Sequence, residues 1–175
     1  MIARAQRGFS MIEVMVTVAL LIVGLLGLAG LQSRVTSAEL EAYQRSQAIV
    51  IAQDISDRMN ANKRNASAYV QTDIGLGGTV QSCVGKVGAA LDLCEINNEL
   101  VGASETSAGA KLGAMIGARA CVTSPAASTY VVTVAWQGLV PTAAPAAACG
   151  QNGYGNDSLR RTLSLPVRVG CLTCP

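Results

Sequence analysis

The chain contains no histidine among its 175 residues. That absence removes Ser-His-Asp triads, histidine general bases, histidine metal sites and a c-type haem attached through a CxxCH run. Aromatic residues are also few, with one Phe, one Trp and four Tyr. Charge is thin, at 14% of residues. The formal balance is +2, and without Arg4 and Arg7, which precede Gly8, it becomes +2 − 2 = 0. A neutral chain without a basic stripe and interleaved aromatics lacks the means to hold nucleic acid, so no direct nucleic-acid partner is expected.

The missing charge is concentrated in one place. From Val14 to Gln32 no charged residue appears, and the lone carboxylate of Glu13 stands immediately before that run. The stretch from Val14 to Leu31 is just long enough to cross a hydrocarbon core of about 30 Å. Arg4 and Arg7 on the short side place the N-terminus in the cytoplasm and the body outside it. A cleaved secretory signal ending near Gly27-Leu28-Ala29 is the competing reading, and Glu13 argues against it. A lipoprotein signal fails because Leu31 stands where a cysteine is needed. An acid inside an inserting helix costs roughly 2.5 to 3.5 kcal/mol, so something specific must use Glu13. Read from the residues alone, Ser10 and Glu13 also fit a capping box. Gly24, Gly27 and Gly30 recur every third residue, which suits close helix packing.

The run GFSMIEVMVTVALLIVGLLGLAGLQ, Gly8 to Gln32, resembles the leader junction and N-terminal helix of type IV pilins and pseudopilins. The resemblance implies cleavage after Gly8 by a prepilin peptidase, N-methylation of the new first residue Phe9, and an assembly role for Glu13. That glutamate would meet the N-terminal amine of a neighbouring subunit. Related pilins often carry a proline in this stretch, and this chain has none.

From Arg34 to Met59 the sequence turns polar but stays periodic, with Ala38, Ala42, Ala48, Ala52, Ile55 and Met59 spaced for one helical face. No Gly or Pro interrupts it, and Glu41 with Arg45 forms an i to i+4 pair of the favoured sense. One continuous helix from Ser10 to about Met59 follows, about 75 Å long at 1.5 Å per residue. Its apolar stripe needs a sheet to cover it. The segment SQAIVIAQDISDRMNAN, Ser46 to Asn62, is similar to the PilV kind of minor pilin, with Asp54, Asp57 and Arg58 at the matching positions. The residues alone read as a solvated face and a helix stop at Asn60 to Asn62.

The chain divides into a basic leader (1–8), a transmembrane and assembly helix (9–33), the amphipathic half of that helix (34–62) and a globular head (63–175). The head opens with a glycine-rich loop, Gly75 to Gly78, and a short helix around Leu91 to Leu100. Gly102 to Ala118 shows no period. Strand patterns cover Thr129 to Trp136 and Thr162 to Val169, with Arg119 to Thr123 as a third. Pro166 restricts the second to an edge or a bulge, and Trp136 reads as a core or rim aromatic. The fold class is α+β. The pilin resemblance sharpens this to a long N-terminal helix, transmembrane in its first half, packed on a small antiparallel sheet with disulfide-bearing loops.

Six cysteines, Cys83, Cys94, Cys121, Cys149, Cys171 and Cys174, point to disulfides in an oxidising compartment. They allow fifteen pairings, and spacing does not choose among them, although Cys83 with Cys94 and Cys121 with Cys149 are reasonable neighbours. Cys171-Leu172-Thr173-Cys174 also fits a CxxC redox or metal motif, but its place four residues from the last residue favours a structural bridge. No catalytic residue, cofactor or metal is expected.

The resemblance implies a minor pilin that primes assembly or sits at the pilus tip. Its partners would be other minor pilins, the major pilin, prepilin peptidase, the inner-membrane assembly platform and a tip adhesin. Before assembly it would be a single-pass inner-membrane protein with a periplasmic C-terminal domain, and afterwards part of the fimbrium. Two other readings stand beside it. One is a minor pseudopilin of a type II secretion system, and the other a membrane-anchored periplasmic thiol oxidoreductase using Cys171 and Cys174. The residues do not choose among twitching motility, adhesion, DNA uptake and secretion as the purpose of the system.

Overall fold

Residues 8–103, 106–107, 110–111 and 115–170 are described by the computed structural model. The contacts divide the chain into two compact units, Met1–Leu40 and Glu41–Pro175. Helix α1, Met11–Ala61, contributes to both.

In the first unit, α1 begins where Gly8, Phe9 and Ser10 end as non-helical chain. The Ser10 carbonyl accepts the first helical bonds, from the Glu13 N–H at 3.0 Å and the Val14 N–H at 3.3 Å. Every residue from Met11 to Thr36 is exposed in the free chain. By length and composition α1 can cross a membrane.

In the second unit, α1 buries Gln44, Ala48, Ile51, Ala52, Ile55 and Met59. The expected stripe is therefore correct from Ala48 onward, but Ala38 and Ala42 are exposed. Stepping back from Ala48 by one helical turn leads to Gln44, so the covered face continues through a polar residue that apolar periodicity does not reveal.

Four strands, β1 (Gln71–Ile74), β4 (Arg119–Ala126), β5 (Thr129–Gln137) and β6 (Arg160–Arg168), form an antiparallel sheet in the order β1-β4-β5-β6. Between them come α2 (Ala89–Leu100) and a small hairpin of β2 (Thr106–Ser107) with β3 (Ala110–Lys111). The buried stripe of α1 shares one core with Val122 of β4, Val132, Val134 and Trp136 of β5, and Ile96 and Leu100 of α2. Each fully buried Val, Leu or Ile contributes about 1.5–3 kcal/mol through loss of apolar surface from water.

Strand β5 is buried from Val132 to Trp136 without interruption, because its second face also packs inward, with Ala135 against Cys121 and Cys149. Burial on both faces explains why its apolar alternation is broken. β6 lies at the sheet edge, where Pro166 opposite Val131 need not donate to a further strand. β4 runs to Ala126, past the expected Thr123, through an irregular register between Thr123 and Ala126. The unforeseen β1 buries only Ile74, so no alternation announced it.

Two bridges, Cys83–Cys94 and Cys121–Cys149, join the two neighbour pairs raised from the sequence. Cys171 and Cys174 lie outside the described residues.

Candidate functional site: the processing and assembly segment and the head contacts

The peptide bond between Gly8 and Phe9 precedes the first helical residue, Met11. A Cβ placed on Gly8 would meet nothing within 4 Å, and Phe9 is 84% exposed. The bond between Gly8 and Phe9 therefore lies outside the helix. Cutting there would leave a primary amine on Phe9, four positions before Glu13. Glu13 lies in the first turn of α1, where the partial positive charge of the helix start favours a carboxylate. Among the described residues no ion pair reaches it. Gly24, Gly27 and Gly30 also face open space, so none of the described residues occupies the helix surface at those positions. The segment thus presents a non-helical Gly8–Phe9 bond, an acid with no ion-pair partner among the described residues, and an exposed apolar helix.

The head shows why Asp54 and Arg58 are more than a solvated face. Arg58 Nε donates to Asp54 Oδ2 at 2.7 Å, while its Nη1 donates to Glu95 Oε2 at 2.6 Å and Asp92 Oδ1 at 3.3 Å. One guanidinium therefore ties α1 to α2, and of the three matched residues only Asp57 is exposed, while Asp54 and Arg58 are half-buried. Fully buried Tyr69 donates its hydroxyl to Asp92 Oδ2 beside this cluster. Burial first, and then that hydrogen bond, push the Tyr69 phenol up to about 12.

Glu41 likewise departs from its expected partner. Its Oε1 accepts from Arg161 Nη2 at 3.1 Å and from the backbone N–H groups of Leu139 and Val140 at 3.1 and 3.3 Å. The predicted intrahelical pair with Arg45 is not formed, because three donors from the head converge on that oxygen and an exposed i to i+4 pair offers only about 0.3–0.5 kcal/mol.

The segment between β5 and β6 is held by a buried cation that sequence reasoning missed. Arg160, 1% exposed, donates to the carbonyls of Pro145, Ala147 and Cys149 and to both oxygens of Asp157. The Cys121–Cys149 bridge pins the same segment to β4. Arg119 stacks over the Tyr154 ring at 5.3 Å, and the Tyr154 hydroxyl donates to the Gly117 carbonyl at 2.9 Å. Arg160 lies two residues before the expected strand at Thr162, and the carbonyls that claim it lie in a stretch of Ala and Pro with no signal of their own.

A family model described as type IV pilin Tt1218 matches residues 30–95, and one described as the prokaryotic N-terminal methylation motif matches residues 3–29. No curated protein and no solved structure matches the chain. The two matched segments adjoin, and together they run from residue 3 through α1 and into α2. The chain is a type IV pilin that carries the N-terminal methylation motif, and its apolar N-terminal helix fits a membrane anchor.

Proposed function

We propose that this pilin is a minor subunit of the PilV kind, acting through protein contacts and not through catalysis. Prepilin peptidase removes the leader after Gly8 and methylates Phe9. The subunit then waits in the inner membrane with its head in the periplasm. The assembly platform moves it into the pilus, where it primes assembly or takes a place at the tip with other minor pilins, the major pilin and an adhesin. Support for the minor, PilV-like reading comes from the Asp54, Asp57 and Arg58 segment.

The observation that carries the reading is Glu13, unpaired at the start of an exposed apolar helix. Transfer from lipid into a filament core exchanges one apolar environment for another, so it supplies little hydrophobic driving force. A carboxylate meeting the Phe9 amine of a neighbour removes two unpaired charges together, and each costs several kcal/mol when left alone in a low-dielectric core. Glu13 therefore sets which helices join and in what register.

Two measurements test this. Mass spectrometry of the purified protein should find a chain that begins at methylated Phe9. Glu13→Gln, which keeps the size and removes the charge, should insert into the membrane normally and be depleted from sheared pili. An intact Met1, or normal incorporation of Glu13→Gln, would sink the proposal.

A further inference from the structure

Among the described residues, two buried side-chain atoms have no hydrogen-bond partner, Gln44 Oε1 and Trp136 Nε1. One is an acceptor and the other a donor, and neither reaches the other. Both belong to one end of the contact between α1 and the sheet. Gln44 is the first buried residue of α1, and Trp136 is the last buried residue of β5. A cavity of about 340 Å³ at this end is lined by Trp136 together with Glu41, Ala42 and Arg45 of α1. An unpaired buried group gives up its bonds to water and gains none in return, and folded proteins hold few of them. Further along α1 the buried side chains, from Ala48 to Met59, are all apolar and carry no such deficit.

A single carboxylate oxygen holds this end shut. Glu41, three residues before Gln44, accepts through Oε1 from Arg161 Nη2 at 3.1 Å and from the Leu139 and Val140 N–H groups at 3.1 and 3.3 Å. Arg161 is fixed in turn, with Nη2 donating to the Val140 carbonyl at 2.5 Å and Nη1 to the Ser158 carbonyl at 3.2 Å. The donors to Glu41 come from β6 and from the segment just after β5, so they tie α1 to the end of the sheet that carries Trp136. Glu41 is half-buried, at the edge of the packed surface, where water can replace its bonds.

We propose that Glu41 to Gln44 of α1 and Trp136 of β5 form a seam that opens locally, with the Glu41 clasp setting how often it does so. In the closed state the three bonds to Glu41 are made and both orphaned atoms are dry. In the open state water satisfies Gln44 Oε1 and Trp136 Nε1, which offsets part of the cost of breaking the clasp. The apolar turns from Ala48 to Met59 stay packed, so the seam opens without unfolding of the head. The device lies within the second unit and does not depend on the pilus reading.

Trp136 is the single tryptophan of the chain, so its indole N–H gives one resonance. Exchange of that proton with deuterated water requires water to reach a buried atom. The test is hydrogen exchange by nuclear magnetic resonance on the full-length protein in detergent micelles. The backbone amides of Val132 and Val134, inside a strand paired on both sides, report global unfolding. Each rate is taken relative to that of the same group in an unstructured peptide. The indole N–H should be at least tenfold less protected than the two amides. Glu41→Ala should speed indole exchange about tenfold, and Gln44→Leu, which removes one orphan and adds apolar surface, should slow it. Glu41→Gln keeps the acceptor without the charge, so it should give a smaller acceleration and serves if Glu41→Ala does not fold. Ile55→Val weakens packing that the open state retains, so it should speed the two amides and leave the indole rate unchanged.

An indole N–H as protected as the Val132 and Val134 amides would overturn the proposal, because water would then enter only by global unfolding. Indole exchange that ignores the Glu41 substitutions, or that accelerates with the amides in Ile55→Val, would overturn it as well.

Discussion

Arg160 and Asp157 meet fork to fork, with Nε donating to Oδ1 at 2.9 Å and Nη2 to Oδ2 at 2.8 Å. The remaining donors of this guanidinium reach the backbone carbonyls of Pro145, Ala147 and Cys149. A buried charge is tolerated here because every side of it is bonded, and the segment between β5 and β6 takes its course from those bonds.

Arg160→Met should therefore lower head stability by about 3–5 kcal/mol, because it leaves the carbonyls and Asp157 without their donor. Denaturant unfolding followed by Trp136 emission measures this, and a loss under about 1 kcal/mol would show that the anchor is dispensable. Asp157 adds a dependence on pH. The hydrogen bond from Arg160 is the main cause holding its carboxyl below the ordinary range, against a smaller opposing effect of burial. A depressed folded-state value stabilises above the ordinary carboxylate range and is lost as pH falls through the folded value. Wild type should show that acid-side loss, and Arg160→Met should show less of it.

At the alkaline end the controlling groups are Tyr69 and Tyr154. Burial is the main cause raising both phenols from 10.0 to about 12, with the Asp92 hydrogen bond adding to it at Tyr69. A raised folded-state value contributes stability that is complete below the ordinary phenol value of 10.0 and lost as pH rises through about 12. Tyrosinate absorbance should show late-titrating phenols whose ionisation coincides with loss of near-ultraviolet dichroism. Tyr69→Phe should remove part of that alkaline sensitivity and cost about 1 kcal/mol at neutral pH. Two phenols that titrate late in a chain already unfolded would contradict the assignment.

The two disulfides close loops of different length, with separations of 11 residues for Cys83–Cys94 and 28 for Cys121–Cys149. On chain entropy, removing the longer bridge should cost about 0.8 kcal/mol more than removing the shorter. Paired serine replacements, compared by denaturant midpoint at equal slope, give the difference. A reversed order would mean that local packing, and not loop closure, sets the value of each bridge.

Gly75 has φ +85, and a Cβ there would sit 2.8 Å from the backbone oxygen of Ala118. Gly77 has a similar φ of +81, but a Cβ there would meet nothing within 4 Å. Gly77→Ala should therefore cost about 1 kcal/mol from backbone strain alone, while Gly75→Ala should cost more, because the backbone at Ala118, just before β4, must also move. Thermal unfolding of the two variants separates strain from collision, and equal losses would remove the collision from the account.

Much of the fold was legible because its signals are local. The uncharged run after Glu13 and the unbroken period of α1 each depend on neighbours within about one helical turn. Pro166 marked an edge strand because the missing N–H is a property of the residue itself. Glu41 shows where such reasoning stops. Arg45 is its best local partner, yet Arg161, 120 residues away, takes the bond. Arg58 reads as a solvated helix residue until Asp92 and Glu95 arrive from α2.

The amino-acid order alone set Gly8 and the aromatic that follows it, the solitary Glu13 and the membrane-length apolar run, because each is a matter of composition along a few consecutive residues. Folding alone decided that Cys121 meets Cys149 and that Arg160 is buried among carbonyls. Those outcomes depend on which distant surfaces come together. Side chains choose the partners that burial presents to them, and those partners are absent until the sheet has closed on the helix.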